Sequence, residues 1–160
     1  MNSYSKTTND PILAGLLGEA VATVKASEGS ILLFTESGSH LRFVVSNSPV
    51  AERLLGSEIP LNEGITGLAV CLQQPMIVNE TQSNPDFSKT IDSQSGVTTK
   101  SILVIPLVTP EQEFGAFTAI NSRDQDGFGR EDLEIYSRYA EQVCHSLVEL
   151  DLGMDHVGAI

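Results

Sequence analysis

The stretch Ser101–Asn121, S-I-L-V-I-P-L-V-T-P-E-Q-E-F-G-A-F-T-A-I-N, decides the fold. Two runs dense in Ile, Leu, Val and Phe, Ser101–Val108 and Phe114–Asn121, flank T-P-E-Q-E, whose proline and acids suit a turn. The pattern predicts two antiparallel strands that pair near the centre of a sheet. Just upstream, D-S-Q-S-G-V-T-T-K at Asp92–Lys100 carries a hydroxyl-rich polar loop straight into the first of these strands. That junction reads as a ligand site feeding a core.

Working outward toward the N-terminus, residues 1–10 are polar and read as a flexible lead, and Asp10-Pro11 supplies a helix cap followed by proline at the first helical position. Ile12, Leu13, Leu16, Leu17, Ala20, Val21 and Val24 then recur at helical spacing, with Ser27-Glu28-Gly29 marking the predicted end. Ser30–Thr35 and Leu41–Ser46 flank E-S-G-S, the composition of a hairpin. Gly64–Gln73 reads as a short helix opened by glycines and Met76–Asn79 as a brief strand after Pro75. Thr81–Thr99 has little apolar content, and so long a segment inside a compact domain is usually functional.

Toward the C-terminus the period changes. Leu133, Tyr136, Ala140, Val143, Leu147 and Leu150 follow in alternating steps of three and four, the heptad spacing of a dimer helix, and Met154 and Val157 keep the phase. Ile135, Tyr139, Cys144 and Val148 form a second apolar row, so one side of this helix can face the sheet and another a partner helix. A single amphipathic helix covering the sheet fits the same residues. The order helix, strands, mixed middle, two strong strands, helix is an α+β pattern: one domain over residues 11–150, with 151–160 a tail or the start of a connecting helix.

The chain has 160 residues, enough for one domain with its own core, and 21 acids against 9 Lys and Arg give a formal charge of −12. That balance argues against a nucleic-acid or anionic-membrane surface, which needs a basic field. Cys71 and Cys144 have no paired spacing, and His40, His145 and His156 show no ligand spacing, so neither a disulfide framework nor a metal site is read. No basic stretch followed by an apolar run opens the sequence, and no long apolar run occurs in it; a cytoplasmic, soluble protein is expected.

Three blocks, N-E-G-I-T-G-L-A at Asn62–Ala69, Asp92–Pro106 and Phe114–Asn121, resemble in this order a GAF domain, a sensory module of signalling proteins, over roughly Ile12–Leu150. The resemblance implies a PAS-like, six-stranded antiparallel sheet, with the terminal helices packed on one face and a ligand cavity on the other under the middle segment. It also implies a homodimer through those helices and output to a downstream signalling protein or effector domain. Asp92, Ser95 and Thr99, at steps of three and four, are expected along one face of a helical turn, offering a carboxylate and two hydroxyls to one small ligand. Their spacing, D-x-x-S-G-x-x-T-K-S-I-L, resembles the segment that holds the cyclic nucleotide in the cGMP- and cAMP-binding GAF domains of phosphodiesterases and adenylyl cyclases.

By that resemblance Asp92 accepts from the base edge, Ser95 and Thr99 contact the base or the cyclic phosphate, Ile65 and Thr66 add contacts, and Ser30 matches a further contact position. Thr118 stands where some binders have an acid. Phe87, Ile91, Val97, Ile65, Met76 and Phe117 are the expected apolar lining. There are departures: Ser88 stands where binders often carry an aromatic ring, and the family's N-K…F-x-x-x-D-E signature survives as Asn121, Phe128 and Asp132, with Arg123 expected to replace the lysine as a structural tie to Asp132. No cofactor is required, and cAMP or cGMP is the candidate ligand. The alternatives are another small ligand, a ligand-free dimerisation or protein-interaction module, and a redox enzyme of the methionine-sulfoxide-reductase type, for which two distant cysteines are a poor set. No catalytic motif is present, and a regulatory rather than enzymatic role is expected.

Overall fold

The computed structural model describes residues 9–150 and 154–155. Helix α1 (Pro11–Thr23) starts where the sequence places it: the Asp10 carboxylate accepts the main-chain N–H groups of Ile12 and Leu13, both at 3.0 Å. It ends earlier than expected. Lys25 turns the chain through a left-handed conformation (φ 56°), and strand β1 (Ala26–Phe34) takes in Ser27-Glu28-Gly29. The glycine that reads as a helix stop is a strand residue pressed by its neighbours. A Cβ on Gly29 would lie 2.5 Å from the Thr118 carbonyl oxygen and 2.8 Å from the Tyr136 hydroxyl.

Strand β2 (His40–Ser46) completes the expected hairpin. A one-turn helix α2 (Ala51–Leu54) and a short edge strand β3 (Glu58–Pro60) follow, both unmarked by any periodicity in the sequence. Helix α3 (Gly64–Leu72) and strand β4 (Met76–Val78) fall where expected. The Thr81–Thr99 segment holds one turn of 3-10 helix (Thr81–Ser83) and helix α4 (Thr90–Ser95). Strands β5 (Ile102–Val108) and β6 (Gln112–Ser122) form the predicted pair, and helix α5 (Arg130–Glu149) closes the domain. The sheet runs β3-β2-β1-β6-β5-β4, every pairing antiparallel, with β6 at its centre. A two-residue strand β7 (Met154–Asp155) pairs with Gln112 and Glu113, so Met154 does not continue a helical heptad; Val157 lies outside the described residues.

Apolar residues cover both faces. On one, α1 and α5 bury Leu13, Leu17, Tyr136, Val143 and Leu147 against Ile31, Leu103 and Phe117. On the other, α3 and the middle segment cover Leu32, Phe43, Val104 and Ala116. The expected dimer seam is thereby corrected. Tyr136, Val143 and Leu147 are fully buried and Ala140 is 4 % exposed, while Leu133 and Leu150 pack on the same cluster, so this row is the domain's own core stripe. A 3.6-residue helix lying on a sheet needs the same apolar spacing as a short heptad run.

Candidate functional site

Alternation along the central strands sorts side chains between the two layers. Glu28, Ser30 and Leu32 of β1, and Thr118 and Ile120 of β6, point away from the terminal helices and floor a cavity; Ile65 and Thr66 of α3 and Phe87, Ile91, Asp92, Ser95, Val97 and Thr99 close it. About 100 Å³ is open to the centres of water molecules, well above the roughly 10–15 Å³ needed to admit one. Most of the sequence-derived site therefore converges on one place. Phe117 does not. As the odd neighbour of Thr118 it faces the helices, where its ring stacks on Tyr136 with centroids 4.1 Å apart and planes at 13°. Met76 packs with the apolar cluster on the cavity side without lining the cavity.

The middle segment is held shut by its own hydrogen bonds. Asp92, in α4, accepts the Thr99 main-chain N–H and the Thr99 hydroxyl, both at 2.7 Å, across the left-handed turn at Gly96. Thr99 thus lies beyond the helix end, off the helical face on which Asp92 and Ser95 were expected to align it. The Ser95 hydroxyl is buried and accepts from the Val97 N–H at 3.2 Å, and Arg53 reaches over from α2 to the Ser95 carbonyl at 3.2 Å. At the rim, the Glu63 carboxylate takes the hydroxyls of Ser88 and Thr90, which hold it below the usual carboxylate range. Ser88, which stands where an aromatic ring was expected, is half of that latch.

The structural tie is built differently from expectation. Asp132 accepts the Gly129 N–H at 2.9 Å and caps α5, and among the described residues no ion pair joins it to Arg123. Asn121 carries the join instead. It sits in a left-handed conformation (φ 60°), accepts the Lys100 N–H at 2.7 Å and donates to the Thr98 carbonyl at 3.0 Å, fastening the end of the middle segment to β6. Phe128 is buried in the helix-side core, and Asn79 binds both its N–H and its carbonyl, at 2.8 and 3.0 Å.

The sequence reading missed Glu28. Its side chain is 6 % exposed and lines the cavity floor, and burial, with the Asp92 charge adding to it, raises its pKa against the opposing effect of the Ser48 hydroxyl. The only signal for it was position: two residues before Ser30 in a strand places it on the same face. The cysteines lie apart from the cavity. Cys144 is buried on α5 with its thiol pushed up to about 11 by desolvation, and Cys71 is exposed on α3. Among the described residues no cluster of His, Cys, Asp and Glu could hold a metal, and no helix is long and apolar enough to cross a membrane.

Comparison with known proteins places this architecture. The chain is 30% identical over 97 residues to the bovine (Bos taurus) cone cGMP-specific 3',5'-cyclic phosphodiesterase subunit alpha', an alignment covering 61% of this chain and 11% of that subunit. The chain therefore spans about a tenth of this relative. Among solved structures it resembles residues 122 to 287 of a methyl-accepting chemotaxis protein (TM-score 0.75, 17% identity, 99% of this chain and 100% of that one). It also resembles the type II free methionine-R-sulfoxide reductase of Thermoplasma acidophilum (TM-score 0.71, 17% identity, 93% and 97%). Those structural likenesses speak to the fold alone. The family model described as GAF domain matches residues 9–147, and the chain belongs to the GAF domain family.

Proposed function

We propose that this chain is a sensory or regulatory domain that holds a small organic ligand between its sheet and the Thr81–Thr99 segment, with a cyclic nucleotide as the candidate. The observation that carries the reading is the cavity itself: a floor and walls of Leu32, Phe43, Ile65 and Ile91 interrupted by a few polar groups, the make-up of a small-molecule site. The bovine relative, whose name specifies cGMP, supports the nucleotide class. A change in how α4 covers the cavity on binding, passed to the terminal helices, is the proposed output to a downstream protein or effector domain. A homodimer through those helices would use their outer faces, where Ile12 and Val148 are exposed, rather than the buried heptad row.

One observation favours a second reading, a ligand-free interaction module. Both Asp92 oxygens already accept from Thr99, and the segment's own hydrogen bonds pin it. A thermal-shift titration with cAMP and cGMP separates the two. A ligand at about 100 times its dissociation constant adds roughly 2.7 kcal/mol, so a saturable rise in midpoint is expected, abolished by Ser30→Val, which removes a floor hydroxyl and fills space in a strand that favours valine. No shift with either nucleotide removes the cyclic-nucleotide reading.

A further inference from the structure

Glu28 is a carboxylate placed where carboxylates are rarely left. It projects from the central strand β1 into the cavity at 6 % exposure, opposite Asp92. The two acids differ in one respect that decides their roles. Asp92 gives one oxygen to the Thr99 N–H and the other to the Thr99 hydroxyl, whereas Glu28 accepts no main-chain N–H among the described residues and has only the Ser48 hydroxyl beside it. Among the described residues no lysine or arginine lines the cavity, and Arg53 is directed to the Ser95 carbonyl. An ionised carboxylate has about four acceptor positions, and a buried one with most of them unfilled is costly until donors arrive.

We propose that Glu28 is the specificity-determining residue of this cavity, taking with its two oxygens a ligand edge that carries two adjacent N–H donors, as an amidine, a guanidine or a guanine presents, while Asp92 is a positioning residue that holds Thr99. The inference rests on the ligand-site reading above and adds the ligand's chemistry to it. Two parallel N–H···O bonds to one carboxylate are charge-assisted and geometrically selective. An adenine edge offers one donor beside one acceptor, and the acceptor would face a carboxylate oxygen. Glu28→Gln makes the complementary change, since its amide presents one acceptor and one donor group and so fits the adenine edge better than the guanine edge. Burial acts in the same direction: it disfavours the ionised form of Glu28, and a ligand that brings a donor pair favours it.

The test is calorimetric titration of the wild-type chain and Glu28→Gln with cGMP and cAMP, with the unliganded melting midpoint of each confirming that both fold. The wild-type chain should bind cGMP at least about tenfold more tightly than cAMP, and Glu28→Gln should lose that preference mainly through weaker cGMP binding. A preference retained in the variant overturns the role of Glu28 and leaves the ligand site standing; a wild-type preference for cAMP overturns the donor-pair edge itself. If neither nucleotide binds, the nucleotide reading fails on its own, and benzamidine against benzyl alcohol decides the present one. Saturable benzamidine binding lost in Glu28→Gln supports it, and absence of binding, or binding unchanged in the variant, overturns it.

Discussion

Single side chains hold the two halves of the site together. Asn121 combines a left-handed backbone with side-chain bonds to Lys100 and Thr98, so Asn121→Ala loses both features, and a destabilisation of about 2–4 kcal/mol is expected in urea unfolding. Asn121→Gly loses only the bonds and should recover roughly 1 kcal/mol of that. Glu28 gives a pH signature of the opposite kind. Its folded pKa is raised above the ordinary 4.5, so the folded chain holds the proton where the unfolded chain has released it, and stability falls as pH rises through that raised value. Glu28→Gln should therefore raise the melting midpoint of the unliganded protein at pH 7 and leave it nearly unchanged well below pH 4.5, where both states are protonated. An equal shift at both pH values would mean that packing, not ionisation, sets the difference.

Among the elements, α5 shows what patterns can and cannot say. Its stripe from Leu133 to Leu150 was legible as apolar and periodic, but spacing alone does not name the surface it covers, and here the sheet takes it. Leu147→Ala should cost about 2–5 kcal/mol in urea unfolding at a fixed protein concentration. A Leu147→Ala chain as stable as the wild type but changed in oligomeric state would return the stripe to a dimer seam. The strands β5 and β6 were legible for the opposite reason: β-branched density and a proline turn leave few other options. Helix α2 and strand β3 were not, being too short to show a period, and the boundary of β1 was misplaced because Gly29 answers to Thr118 and Tyr136, contacts far away in sequence. At the site, the middle-segment residues that their order singled out line the cavity, while Phe117 lies on the other face of the sheet, as the two-residue period that separates it from Thr118 requires. Glu28 was passed over because a lone acid in a strand carries no motif.

Across the whole molecule, one layer of sheet separates the cavity from the terminal helices, and a single peptide links them. The Tyr136 hydroxyl donates to the Thr118 carbonyl at 2.6 Å, while the Thr118 side chain lines the cavity and the Phe117 ring, one residue earlier, stacks on Tyr136. The chain has no tryptophan and three tyrosines, of which Tyr136 and Tyr139 both ride on α5. Near-ultraviolet dichroism and tyrosine emission are thus dominated by the helix that faces away from the pocket. The protein carries its own chromophore on the helix side of the sheet, and a change that reached α5 on filling of the pocket would be read there without a label.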